Sequence, residues 1–311
     1  MKILNFGSLN IDHVYQVPHF VQPGETLSAD ELTFCAGGKG LNQSVAAARA
    51  GARVIHAGAI GPEGGFLCDL LREAGADVSH LLRLDAPTGH AIIQVAPDGQ
   101  NAILVYGGAN RRLSAEYIDR MLALGEPGDL ALVQNETNAV GDIIRRAAAR
   151  GLRVVFNPSP FPADPAALPL ERASLFMVNA LEAAQLAACS PEAEPSAILD
   201  ALQARFPQAA IVMTLGSRGA IWAQGKERFF QPAFPVQAVD TTGAGDTFCG
   251  YFLAGLCRDL PVPECLKTAC AASAIAVSRP GAAPAIPQAA EVAAFFGAAE
   301  TPVVSRVNPE R

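Results

Sequence analysis

Charge is scarce in this sequence: only 17% of its 311 residues are charged, and the formal net charge is −7. The pI is near 5.3. A chain this short of cations is poorly suited to holding nucleic acid through phosphate contacts. Long apolar runs are also missing, and none approaches the roughly 18 residues needed to span a bilayer. The histidines (His13, His19, His56, His80, His90) show no H-x-x-x-H spacing, so they read as structural or solvated rather than as metal ligands. The seven cysteines contain no C-x-x-C pair, and Cys249, Cys257, Cys265 and Cys270 fall in apolar helical stretches. They read as reduced, mostly buried thiols of a reducing cytoplasm. The opening MKILNFGSLN breaks at Gly7, which reads as a first strand and not as a signal peptide. The tail from about Pro302 is polar and reads as a frayed end.

What is present is core-forming. Hydrophobic residues make up 50% of the chain, which excludes disorder. The length suits one sizeable α/β domain or two smaller ones. Strand-like runs (Lys2–Ser8, Arg53–Ile60, Asp129–Gln134, Leu152–Phe156, Leu175–Val178, Ala209–Leu215) alternate with helical runs. The helical runs are Asn42–Ala50, Gly65–Ala74, Val140–Arg150, Leu181–Ala188, Asp246–Cys257 and Cys265–Ser278, several stopped by glycine. This is the pattern of a central, mostly parallel sheet with helices on both faces. Asp12–Val17, Leu27–Phe34, Gly89–Ala96 and Asn101–Tyr106 do not fit it, and Pro97-Asp98-Gly99 marks a hairpin. These runs, roughly 12–36 and 88–107, read as a small β-sheet lid within a single domain spanning 1–311, with functionless edge strands as the alternative. No repeat, low-complexity run or linker stands out.

The sharpest segment is Val239-Asp240-Thr241-Thr242-Gly243-Ala244-Gly245-Asp246-Thr247-Phe248, where a strand-like run (Phe234–Val239) hands over to a helix. Glycines at 243 and 245 permit close backbone approach, and amides at a helix N-terminus make an anion site. Asp246 in the first turn is either an ordinary cap or a base that takes a hydroxyl proton beside that site. Phe248 occupies the third glycine position of G-x-G-x-x-G, which weakens a dinucleotide-binding dehydrogenase. Thr33 and Gly40 likewise exclude a Walker loop around Lys39.

Gly37-Gly38-Lys39-Gly40-Leu41-Asn42 opens a helix, and Lys39 and Asn42 offer donors to a polyol; a solvated helix-start turn is the alternative. Asn10 and Asp12 share one side of an extended segment after the first strand, as a diol clamp or an Asx turn. Glu136 follows another strand, as a ligand or a capping carboxylate. Asn179 and Glu182 have N-x-x-E spacing, which suits either waters around Mg²⁺ or a helix cap. Thr214-Leu215-Gly216-Ser217-Arg218-Gly219 turns sharply after a strand, as a nucleotide rest or a plain hairpin. Trp222 reads as packing.

With these residues assembled, the chain resembles the ribokinase-like (PfkB) carbohydrate kinases over nearly its whole length. Gly7-Ser8-Leu9-Asn10-Ile11-Asp12 resembles the family's first-strand signature. Gly37 to Gln43 is similar to its N-terminal motif, and Asp240 to Phe248 to its highly specific C-terminal motif. The resemblance implies an ATP-dependent sugar kinase with Asp246 as base and Gly243, Ala244 and Gly245 as anion hole. It implies sugar contacts from Asn10, Asp12, Gly38, Lys39, Asn42, Glu136 and Asp246. It places ATP near Asn179, Thr214, Gly216, Gly219, Gly245 and Cys270, with Glu182 assisting Mg²⁺ indirectly. It also implies a monovalent cation, usually K⁺, at Asp240, Thr242, Ala276, Arg279 and Gly281, and a homodimer paired through the lid.

There are two departures from the family. Ala285 stands where a cation-holding serine is usual, and Cys270 where a histidine often lies near adenine. D-Ribose is the substrate implied first; another sugar, a nucleoside, or a non-catalytic sugar- or nucleotide-binding sensor are the rivals. The expected partners are the sugar and ATP, with no nucleic acid and no membrane.

Overall fold

The computed structural model describes residues 1–298 and 302–307. The chain runs β1 (Lys2–Phe6), β2 (Asn10–Gln16), β3 (Glu31–Gly37), α1 (Lys39–Arg49), β4 (Arg53–Ala57), β5 (Ala59–Ile60), α2 (Gly65–Glu73) and β6 (Leu82–Arg83). It continues through β7 (Gly89–Val95), β8 (Asn101–Tyr106), α3 (Ala115–Leu122), β9 (Leu130–Gln134), α4 (Val140–Ala149), β10 (Arg153–Asn157), β11 (Leu175–Asn179) and α5 (Ala180–Ala187). It closes with α6 (Pro195–Arg205), β12 (Ala210–Thr214), β13 (Gly219–Gln224), β14 (Glu227–Pro232), α7 (Ala244–Cys257), α8 (Val262–Val277), α9 (Ala289–Ala298) and β15 (Ser305–Arg306).

Among the described residues the main sheet has the order β15-β14-β13-β12-β11-β10-β9-β1-β4. It is parallel from β12 to β4 and antiparallel beyond β12. Its parallel strands are apolar almost without interruption because both faces are covered. The alternation of a strand sends Ile3, Leu132, Val155, Met177 and Val212 to one core with α1, α2, α7 and α8. It sends Leu4, Val133, Phe156, Phe176 and Ile211 to a second core with α3, α4, α5 and α6. The registers Phe6↔Val133, Gln134↔Asn157 and Asn179↔Thr214 align the carboxyl ends, so the loops after these strands open on one edge.

A second, smaller sheet, β3-β2-β7-β8, is separate from the first and is built from the segments expected to form a lid. β2 is antiparallel to β3 and parallel to β7, and the β7–β8 hairpin turns at Pro97–Gly99. His13, Phe34, His90 and Tyr106 form a row of rings on one lid face, with centroids 4.9, 5.6 and 5.1 Å apart. β8 is exposed along its whole length.

The fold class is the one expected; several details differ. Phe234–Val239 is not a strand: Pro235 cannot donate to a ladder, and Phe234 instead packs on Phe295 and Phe296. Arg53–Ile60 is broken at Gly58 into β4 and β5. The tail is not wholly frayed, since Ser305 and Arg306 pair with β14; residues 308–311 lie outside the described residues. α3, α6 and α9 were not anticipated, although Ser114 caps α3 by accepting from the Tyr117 N–H.

Candidate active site

Two helix N-termini meet at the open edge of the sheet. α7 starts after Gly243, whose φ of 72° is left-handed, a conformation glycine adopts at no steric cost. Asp246 therefore lies in the first turn, as expected, and is only 8% exposed. α1 runs alongside, starting after Gly38 at φ 97°. Asn42 Nδ2 donates to Asp246 Oδ2 at 3.1 Å, and Gln43 Nε2 donates to Oδ1 at 2.8 Å. Both carboxylate oxygens are thus gripped, and each keeps a lone pair for another proton. The Ala244 N–H is spent on the Thr241 carbonyl at 3.2 Å. Gly245 and Asp246, still in the first turn, have N–H groups beyond the reach of any intrahelical acceptor.

The start of α1 lies on the loop after β1. A methyl on Gly40 would sit 2.3 Å from Gly7 Cα, so this contact admits glycine alone. Leu41 N–H donates to Ser8 O. Glu136 accepts from the Ser8 hydroxyl and, at 3.0 Å, from the Lys39 N–H. Asp12 lies against Gly37, where a methyl would be 2.0 Å from its Oδ2. Burial, followed by the Glu136 charge, raises the Asp12 carboxyl to about 6. Burial works against the Lys39 ammonium, but Asp246, Glu136 and Glu182 outweigh it and hold its pKa above the ordinary value. Asn10 is buried and its Oδ1 accepts from Asn110 Nδ2 at 2.8 Å, which leaves its own amide group to donate. The seven residues expected at a sugar site are therefore brought into one neighbourhood.

Beside Asp246 lies a polar pocket of about 250 Å³ that includes Lys39, Asn157, Ser159, Asn179 and Glu182. Asn179 and Glu182 do form a capping box, with bonds of 2.8 and 3.0 Å, and both also line the pocket. Burial raises the Glu182 pKa. A neighbouring, more apolar pocket of about 440 Å³ holds Thr214, Gly216, Gly219, Phe234, Val236 and Cys270. The two share Thr214, Thr241, Gly245 and Phe248 and so form one trough. Burial lifts the Cys270 thiol to about 12, making it an apolar wall.

The Asp240 segment is a braced loop. Its Oδ1 accepts from Thr242 N–H and Oγ1 at 2.9 and 2.7 Å, and Oδ2 from Gly281 N–H at 2.9 Å. Burial raises the Asp240 carboxyl, but these donors outweigh it and the net shift is downward. Arg279 N–H closes a turn on Ala276 O, and its guanidinium pairs with Glu291 at 2.6 Å. Ala285 brings no side-chain oxygen. Among the described residues no cluster of three or more His, Cys, Asp or Glu side chains could cage a metal.

Ser8, Gln43, Asn110, Asn157 and Ser159 escaped sequence reading as site residues. For Gln43 the signal was present, since it is adjacent to Asn42 at the helix start. For the others only tertiary contact reveals them. His56 is fully buried and its pKa is lowered to about 4, which agrees with a structural role.

A family model for pfkB family carbohydrate kinases matches residues 1–289. The ribokinase of Haemophilus influenzae is 36% identical over 297 residues, covering 93% of this chain and 96% of that one. The ribokinase of Staphylococcus aureus is 32% identical over 299 residues, covering 94% and 98%. The Cryptococcus neoformans ribokinase structure in complex with ADP superposes with a TM-score of 0.81 at 36% identity, covering 94% and 99%. The Arabidopsis thaliana ribokinase complexed with ribose and ATP gives a TM-score of 0.83 at 26% identity, covering 95% and 98%.

Proposed function

The chain belongs to the pfkB family of carbohydrate kinases, and on that premise we propose that it transfers the γ-phosphate of ATP to a primary hydroxyl of D-ribose, giving ribose 5-phosphate. The observation that carries this reading is the junction of α1 and α7. One buried carboxylate, Asp246, is held by side chains of one helix in the first turn of the other, beside an open trough.

In this reading Asp246 takes the proton of the sugar hydroxyl as that oxygen attacks the γ-phosphorus in line; the bond to the β-γ bridging oxygen breaks and ADP leaves. The free Gly245 and Asp246 amides at the start of α7 and the helix dipole stabilise charge on the phosphoryl oxygens, while the Ala244 N–H, expected to join them, is spent on the Thr241 carbonyl. Asn10, Asp12, Gly38, Lys39, Asn42 and Glu136 hold the sugar. Thr214, Gly216, Gly219 and Cys270 bed the nucleotide, with Asn179 at its polar end. Glu182 suits Mg²⁺, which needs few carboxylates and keeps its waters. When bound, Mg²⁺ supplies neutralising charge to the phosphates. The braced loop at Asp240, Thr242, Ala276, Arg279 and Gly281 would hold K⁺ through backbone oxygens, with Ala285 contributing none from its side chain.

The 1–311 chain acts as a single kinase domain, and its lid excludes water on closing over the sugar. A second copy of the chain covers β8, whose Ile103, Leu104 and Val105 are 56%, 67% and 56% exposed. The cytoplasm suits its free cysteines. No nucleic-acid or membrane partner is proposed.

The test is ADP release measured across a panel of sugars and nucleosides. D-Ribose should give the highest kcat/KM. A higher value for another sugar or a nucleoside would overturn the ribose assignment, and no release with any acceptor would favour a binding sensor.

A further inference from the structure

The geometry points to Gln43 as a positioning residue for the proposed base, acting through an amide relay whose polarity three backbone carbonyls fix. The inference deepens the kinase reading above and rests on Asp246 being the base.

Gln43 is 1% exposed and lies between Asp246 and the core of the sheet. Its Nε2 donates to Asp246 Oδ1 at 2.8 Å and to Asn157 Oδ1 at 3.0 Å, while its Oε1 accepts from Gln134 Nε2 at 2.7 Å. An amide turned over would put Oε1 against two oxygens, one of them on a carboxylate. What prevents this is the rest of the chain of bonds. Gln134 Nε2 also donates to Asn5 Oδ1 at 3.0 Å. Asn5 Nδ2 donates to Gly40 O and Ser44 Oγ, both at 2.8 Å.

The ends of the relay are set by groups that can only accept. Gly40 O fixes which end of Asn5 is the amide nitrogen. Asn157 Nδ2 donates to Met177 O at 2.8 Å, so its oxygen must face Gln43. His56 Nε2 lies 3.2 Å from Gly7 O and so must carry the proton, which leaves Nδ1 to accept from Ser44 Oγ at 2.8 Å. Each orientation follows from the one before it, from Gly7 to Asp246. Asn5, Gln134 and His56 are at most 1% exposed, so no water competes for these bonds.

This arrangement fixes the rotation of the Asp246 carboxyl group about its last bond. Asn42 anchors Oδ2, and Gln43, itself held by Asn157 and Gln134, anchors Oδ1. Gln43 need not touch sugar or nucleotide to matter, since small misplacements of a base are costly to turnover.

The experiment compares Gln43→Met, Asp246→Asn and the double variant with the parent enzyme, using steady-state kinetics with ribose and ATP. Gln43→Met should lower kcat by about ten- to a hundredfold and leave both KM values close to the parent. In the Asp246→Asn background the same change should have no further effect on kcat. An unchanged kcat in folded Gln43→Met, or an equal loss in both backgrounds, overturns the proposal. Normal turnover in Asp246→Asn alone would instead remove the base assignment on which it rests. Should Gln43→Met fail to fold, Gln134→Met frees the same amide and should show the same kcat-selective loss; an unchanged kcat there overturns the proposal.

Discussion

Gly250 of α7 rests on Ala46 of α1 so closely that a methyl on it would lie 2.4 Å from the Ala46 Cβ and 2.6 Å from the Ala47 nitrogen. One helical turn towards the cleft, Asp246 meets Asn42 and Gln43. The spacing of the two helices and the grip on the carboxylate are therefore one feature. Gly250→Ala should push the helices apart, cost about 1–3 kcal/mol of stability, and lower kcat well beyond what the stability loss explains. Thermal denaturation and kcat measured on the same preparation check both parts.

Asp12 predicts a pH dependence. Its carboxyl stands at about 6 in the folded protein against an ordinary 3.8, raised by burial and then by Glu136. Between those values the folded chain keeps a proton that the unfolded chain has released. The sugar-free protein therefore loses stability from this group as pH rises through about 6. Sugar hydroxyls donate to the ionised form, so the KM for ribose should fall as pH is raised through the same window. Asp12→Asn should flatten that dependence while raising KM; a KM for ribose independent of pH in the parent would contradict it.

The lid predicts an assembly. Leu104 is 67% exposed in the middle of a strand whose whole length is uncovered. Leu104→Asp should turn a dimer into a monomer in sedimentation velocity. A parent chain that already sediments as a monomer would remove the proposed pairing.

Glu182 predicts a metal dependence. Glu182→Gln keeps the helix cap, because an amide oxygen still accepts the Asn179 N–H. It removes the charge facing the polar pocket. The Mg²⁺ concentration for half-maximal turnover should rise, with little change in thermal stability; an unaltered Mg²⁺ titration would count against the assignment.

Much of this was legible in the linear chain. The glycine-rich start of α7 and the alternation of apolar strands with glycine-stopped helices are local signals, and Asp246 fell where they placed it. The Phe234–Val239 segment misled because its apolar content resembles a strand, while Pro235 removes an N–H group a ladder needs. The closure of the relay onto Asp246 could not be read, although Gln43 stands beside Asn42 in a segment the sequence singles out. Gln43 and Asp246 are 203 positions apart, and Asn10 and Asn110 are 100 apart. Nothing in either neighbourhood announces the other. Asn179 and Glu182 show a different limit, since capping and pocket lining were rival readings of a spacing that serves both.

The most direct test is the turnover of Asp246→Asn with ribose and ATP. The amide keeps the shape of the carboxyl group but cannot take a proton. The predicted result is a kcat lower by about 10²–10⁴-fold, with ribose still bound and the fold intact. A variant that turns over at the parent rate would contradict the account.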